Sequence, residues 1–146
     1  MPVDVRTAIE IGRPPADVAA FAGNPDNATA WYANIKSVER KTPPPIAIGS
    51  QVAFVAQFLG RRLSYTYEIV ALEPGRLLVM RTADGPFPME TTYRWTEAEG
   101  GTRMELRNRG EPEGFSKLAA PFMARAMRRA NDKDLRRLKQ LLEASG

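Results

Sequence analysis

Val3, Val5, Thr7, Ile9 and Ile11 alternate with Asp4, Arg6, Ala8 and Glu10 at the start of the chain. A period of two predicts a strand with one buried face. Gly12 ends the run, and Arg13-Pro14-Pro15-Ala16-Asp17 opens a short helix, because proline is tolerated in a first turn. Val18, Phe21 and Ala22 form its inner face. Asn24-Pro25-Asp26-Asn27 stops that helix and starts another, which carries Trp31 and Tyr32. Ile35 to Lys41 reads as a second strand, ended by Thr42-Pro43-Pro44-Pro45.

The next fifty residues read as a meander. Val52, Phe54, Ala56 and Phe58 alternate up to Gly60-Arg61, a two-residue hairpin signal, and Leu63, Tyr65, Tyr67 and Ile69 alternate on the return. Pro74-Gly75 makes the next turn, Leu77 to Thr82 the next strand, and Ala83-Asp84-Gly85-Pro86 a loop. Phe87, Met89, Thr91, Tyr93 and Trp95 share one face of the following strand, opposite Glu90, Thr92 and Arg94. Gly100-Gly101 turns the chain into Met104, Leu106 and Asn108, opposed by Arg103, Glu105, Arg107 and Arg109.

From Phe115 to Ala144 the period changes. Phe115, Leu118, Ala119, Phe122, Met123, Ala126, Met127 and Ala130 recur at spacings of three and four, the stripe of one long amphipathic helix. Leu135 swings away from that stripe while Asp134 falls close to it. Either the helix bends around a curved sheet, or a polar pair in the stretch Asn131 to Asp134 meets the sheet. Pro121 sits where it can kink the first turn. The two short N-terminal helices are too small to bury the stripe, so the long helix must lie on the sheet. The fold class is therefore α+β, in one domain spanning 1–146.

Composition narrows the chemistry. A chain of 146 residues that is 43% hydrophobic and 26% charged is globular. No apolar run approaches the roughly 20 residues of a membrane span, and the alternating, acid-bearing N-terminus is expected to be a strand rather than a signal peptide. A cytoplasmic location follows as an expectation. With neither Cys nor His, disulfides, thiol nucleophiles, histidine bases and almost every zinc site are excluded, and no metal or other cofactor is expected. The long helix carries eight basic residues (Lys117, Arg125, Arg128, Arg129, Lys133, Arg136, Arg137, Lys139) against Asp132, Asp134 and Glu143. No aromatics interleave with them as stacking platforms, so they read as a solvated outer face and not a nucleic-acid surface.

Alternation points Phe54, Ala56, Phe58, Tyr65, Tyr67, Met89, Thr91, Tyr93 and Asn108 toward the helix, which offers Phe122, Met123, Ala126 and Met127 in return. Such a wall is apolar with a few polar points, as a small-molecule pocket is. Trp31 either anchors its short helix or meets a ligand from the roof. Buried hydroxyls and amides require partners, so Tyr65, Tyr67, Tyr93 and Asn108 must find one another, water or a ligand. Tyrosine, with an ordinary pKa near ~10, suits hydrogen bonding better than proton abstraction. Arg81 is undecided, because Leu77, Val79 and Arg81 alternate with Leu78, Met80 and Thr82 and both faces are apolar.

The order of elements, with IEIGRPPADVAAFAGNPDNATAW (9–31), YTYEIVALEPGRLLVMRTADGPFPMETTYRW (65–95), GGTRMELR (100–107) and DLRRLKQLLE (134–143), resembles the START-like helix-grip (SRPBCC) superfamily. Within it, the bacterial polyketide cyclase/dehydrase-like group is the nearest likeness. The resemblance implies a curved antiparallel sheet of six to seven strands wrapped around a long C-terminal helix. It also implies an apolar cavity between them, roofed by two short helices near the N-terminus. Members bind lipids, polyketides or other hydrophobic molecules. Cyclase-type members place an arginine in the pocket, which makes Arg81, with Tyr65 and Tyr93, the catalytic candidates. The first expectation is a binder of a small hydrophobic ligand. The second is a cofactor-independent cyclase or dehydratase, and the third a protein-interaction module of the stress-response or chaperone-activator type. Neither nucleic acid nor an integral membrane contact is expected as a partner, and a homodimer is left open.

Overall fold

The computed structural model describes residues 3–144 apart from 59, 86–87 and 111–119. Among the described residues, seven strands form one antiparallel sheet: β1 (Val3–Ile11), β2 (Ile35–Arg40), β3 (Gln51–Phe58), β4 (Arg61–Glu73), β5 (Leu77–Asp84), β6 (Met89–Ala98) and β7 (Gly101–Gly110). Their order is β1-β7-β6-β5-β4-β3-β2, a meander from β2 to β7 with β1 added at the far edge. Helices α1 (Pro15–Ala22) and α2 (Ala28–Trp31), joined by a 3-10 turn at Pro25–Asn27, connect β1 to β2. Helix α3 (Ala120–Ala144) closes the fold. The expected helix-grip arrangement is present. The part of the expected long helix that includes Phe115, Leu118 and Ala119 lies outside the described residues.

Two turns fall one residue earlier than the sequence suggests. Arg61 already pairs with Phe58, and Gly101 with Ala98, so Gly60 (φ 75°) and Gly100 (φ 81°) occupy the second turn positions. Each supplies a left-handed conformation that an L-residue with a side chain adopts at a cost. The expected loop at Ala83-Asp84 is the end of β5. Register shifts interrupt β2–β3 at Ile35/Ser37 and β4–β5 at Thr66/Tyr67 and Ile69/Ala71. Such irregularities bend a strand and raise its twist, which lets the sheet curl around a helix.

Helix α3 is fixed along the edge strand β1, and its basic residues do part of the fixing. Arg128 donates to the Arg6 carbonyl at 2.8 Å and Lys139 to the Glu10 carbonyl at 2.9 Å. Arg137 reaches the Ala30 carbonyl, and the Gly12 amide donates to Glu143 Oε2 at 2.7 Å. An edge strand leaves every second carbonyl without a strand partner, and cations at this spacing cover them. The basic face is therefore not simply solvated surface.

The core divides in two. Leu135, Leu138 and Leu142 of α3 pack with Ile11, Val18, Trp31, Trp95, Met104 and Leu106. Met123 and Met127, two turns nearer the helix start, join Val3, Val5 and Leu63 in a smaller cluster. One close approach locks β1 against β7: a Cβ on Gly101 would collide with the Ile11 carbonyl oxygen and lie 3.0 Å from Gly12 Cα. Both are backbone and cannot swing aside, so Gly101→Ala is expected to cost roughly 1–2 kcal/mol, read as a lower urea midpoint. An unchanged midpoint would show that this strand end moves freely.

Candidate functional site

Between the two clusters the concave face of the sheet and α3 do not meet. A cavity of about 150 Å³ lies there, with α2 and the 3-10 turn at its rim. Cross-strand pairing explains the sheet side. Phe54 stands opposite Tyr65, Met80 opposite Thr91, and Thr91 opposite Asn108, so these side chains share one face. Phe54, Phe58, Tyr65, Tyr67, Met89, Thr91, Tyr93 and Asn108 all line the cavity, with Met123 and Met127 across from them on α3.

Four expected residues lie elsewhere, Ala126 of α3 among them. Phe122 is 64% exposed, because only the neighbouring helix column of Met123 and Met127 faces the sheet. Trp31 is 1% exposed and lies behind the wall, its ring 4.1 Å from that of Tyr32 and 5.8 Å from that of Tyr93. It supports two lining residues without lining the cavity itself. Arg81 points to the convex face, where its side chain is 61% exposed and pairs with Glu90 at 2.8 Å. Arg109 pairs with the same carboxylate at 2.8 Å. The hydrogen bond from Arg81, reinforced by both positive charges, holds Glu90 below its usual pKa. The inward set of β5 is thus Leu78, Met80 and Thr82, and Arg81 does not reach a cavity substrate.

The sheet-side polar groups largely satisfy one another. Thr91 Oγ1 donates to Asn108 Oδ1 at 2.7 Å, so Tyr67 is the donor in its 3.0 Å contact with Thr91. Tyr32 and Tyr93 share a 2.6 Å hydroxyl–hydroxyl bond. Phe54 and Tyr65 rings stack at 5.6 Å, and Tyr65 and Tyr67 lie 5.0 Å apart. Burial raises every one of these phenols above its ordinary pKa, Tyr67 to about 12 and Tyr32, Tyr65 and Tyr93 likewise upward. They are neutral hydrogen-bonding groups at physiological pH, and none is a general base.

The helix side holds what the sequence did not single out as site residues. Asn131 and Asp134 both line the cavity and are 4% and 2% exposed. Asp134 Oδ1 accepts from the Ala33 amide at 3.1 Å, which ties α3 to the chain just beyond α2. The break in the helix stripe is therefore a polar pair, but it meets the cavity and the α2–β2 connection rather than a strand. Burial pushes the Asp134 carboxyl up from 3.8 to about 6, against the lowering effects of the Ala33 N–H and the Lys133 charge. Asn131 Nδ2 is buried without a partner among the described residues. Tyr32, Asn34 and Thr82 are further polar lining residues that the sequence did not single out. The described residues contain no cluster of three or more acidic side chains placed to hold a metal ion. None of their helices is long and apolar enough to cross a membrane.

Several solved structures share this fold. A Thermus thermophilus protein, TTHA0849, superposes with a TM-score of 0.84 at 19% identity, covering 98% of this chain and 99% of its own. A START superfamily protein of Mycobacterium smegmatis gives 0.83 at 11% identity, covering 98% and 99%. The Zhui aromatase/cyclase of Streptomyces sp. R1128 gives 0.80 at 14% identity, covering 98% and 94%. At these identities the likeness is one of fold. No curated protein matches the sequence. The polyketide cyclase/dehydrase and lipid transport family model does match, over residues 2–143, and the chain belongs to that family.

Proposed function

We propose that this protein binds a small hydrophobic molecule in the cavity between the sheet and α3. The observation that carries the reading is the cavity itself: a void of about 150 Å³ walled by Phe, Tyr and Met side chains. A close-packed interior does not keep such a space without cost, since each void forfeits contacts at its lining. Methionine adds a wall that adapts to varied shapes. Most sheet-side polar groups are paired internally, so an apolar guest displaces little bound hydrogen bonding there.

The test is a titration with toluene, followed by NMR of 13C-labelled methionine methyls. Met80, Met89, Met123 and Met127 line the cavity, whereas Met104 is buried in the main core without lining it. The lining methyls are expected to shift saturably and Met104 much less. Ala130→Phe, which fills the cavity from α3, is expected to abolish the shifts. Unmoved lining methyls at saturating toluene would overturn the reading.

A cofactor-independent cyclase or dehydratase is the second reading, favoured by one observation. Among the described residues Asp134 is the one carboxyl lining the cavity, and burial shifts it to about 6, a range suited to giving and taking protons near neutral pH. The cavity volume weighs against a poly-β-keto chain, which needs the several hundred Å³ typical of larger ligands. Turnover of a hydroxy-ketone by the wild type that Asp134→Asn abolishes, with toluene binding intact, would favour the enzyme. No turnover by the wild type would remove it.

A further inference from the structure

We propose that the molecule held in this cavity is a single-ring compound carrying a hydroxyl group, and that Asn131 and Asp134 hold that hydroxyl. The inference rests on the binding reading above and adds the ligand's chemistry to it. Size comes first. An engineered apolar cavity of about 150 Å³ in another protein takes benzene, so the volume here sets a scale of one ring. The stacked and tilted rings of Phe54, Tyr65 and Tyr67 give that ring aromatic faces and edges to pack on.

The head group follows from which polar atoms are left over. On the sheet side, Tyr32 is bonded to Tyr93 and Tyr67 through Thr91 to Asn108, while Tyr65, whose hydroxyl is paired to none of these, offers a single neutral group. On α3, Asn131 Nδ2 has no partner among the described residues, and Asp134 uses Oδ1 for the Ala33 amide. The two residues are three apart on one helix, which puts their Cβ atoms about 5–6 Å apart on the same face. A hydroxyl oxygen can donate to the carboxylate and accept from the amide at once. A ketone only accepts and would leave the carboxylate oxygen unsatisfied. A ligand carboxylate would place a second negative charge beside Asp134. An ammonium head would have to shed a full charge's hydration to enter. A half-turn of the Asn131 side chain exchanges its donor and acceptor ends, and a hydroxyl matches either.

The experiment compares p-cresol with toluene, which differ by the hydroxyl alone, on the wild type and on Asn131→Leu, with the same methionine-methyl readout. An apolar pocket prefers toluene, because p-cresol must leave its water hydrogen bonds behind. The wild type is expected to prefer p-cresol, and Asn131→Leu to shift the ratio of dissociation constants toward toluene by about tenfold, the scale of one hydrogen bond. Asn131→Ala serves the same comparison if the leucine variant does not fold. Toluene binding with no preference for p-cresol, or a ratio untouched in the variant, would overturn the hydroxyl assignment while leaving the binding reading intact. Tighter binding of 4-methylbenzylamine than of p-cresol would also overturn it, in favour of a cationic head. Failure of all three probes would remove the binding reading itself.

Discussion

Trp31→Ala is expected to remove about 3–5 kcal/mol of stability, the range for deleting a buried indole. That is a large share of the roughly 5–15 kcal/mol that holds a domain together. Trp31 is almost fully buried in the main core, and α2, which carries it, is only four residues long. A helix of that length has no stability of its own and stays in place through packing. The indole sits against the Tyr32 and Tyr93 rings, so its loss also removes the backing of the 2.6 Å hydroxyl bond at the cavity. Urea unfolding is the measurement, with Trp31→Phe expected to recover much of the loss. A cost below about 1 kcal/mol would return Trp31 to the roof position that the sequence left open.

The reason Trp31 was ambiguous in the sequence is general. A short helix shows one or two apolar residues and no period, so nothing separates a residue that anchors the roof from one that faces the space beneath. The strands were different. Tyr65 and Tyr67 on β4 and Met89, Thr91 and Tyr93 on β6 alternate against polar neighbours, and a period of two allows one inward set. β5 lacked that contrast: Leu77, Leu78, Val79 and Met80 are apolar on both faces. Its orientation is visible only across strands, where Arg81 meets Glu90 and Glu90 meets Arg109 on the convex side. On α3 the apolar stripe in the sequence is wider than the face that is covered. It joins Phe122 and Ala126 to Met123 and Met127, but the sheet covers only the second column.

Asn131 and Asp134 were readable as a fault in the stripe and unreadable as a site. Polar residues falling in line with an apolar face announce either a bend or a buried partner, and the partner is a backbone amide a hundred residues away in the chain. No local pattern encodes that. Tyr32 escaped for the same reason, since its hydroxyl is placed by Tyr93, a strand residue distant in sequence. Fold and sheet face thus follow from periodicity, whereas the polar end of the cavity follows from contacts made only after folding.

Asp134→Asn is expected to stabilise the ligand-free protein at pH 8 and to leave it nearly unchanged near pH 4. Below 3.8 the carboxyl is protonated in both the folded and the unfolded chain and contributes no pH dependence. Between 3.8 and about 6 the unfolded chain has released the proton and the folded chain still holds it. Unfolding then releases a proton, so stability falls as pH rises through this window, and above it the full cost of a buried carboxylate remains. At about 1.4 kcal/mol per pKa unit, and discounted because solvent reaching the cavity screens the charge, that cost is about 2 kcal/mol. Asparagine keeps an oxygen for the Ala33 N–H and removes the charge. Asp4, Glu90 and Glu143 move the opposite way, each held low by a bonded cation, but they are common to both proteins and cancel in the difference. Urea unfolding at pH 4, 6 and 8 reads the effect, and equal stabilities at pH 8 would mean that the carboxylate is well solvated. Saturating p-cresol should narrow the gap at pH 8, because a hydroxyl donated to Asp134 gives the buried carboxylate a further hydrogen bond.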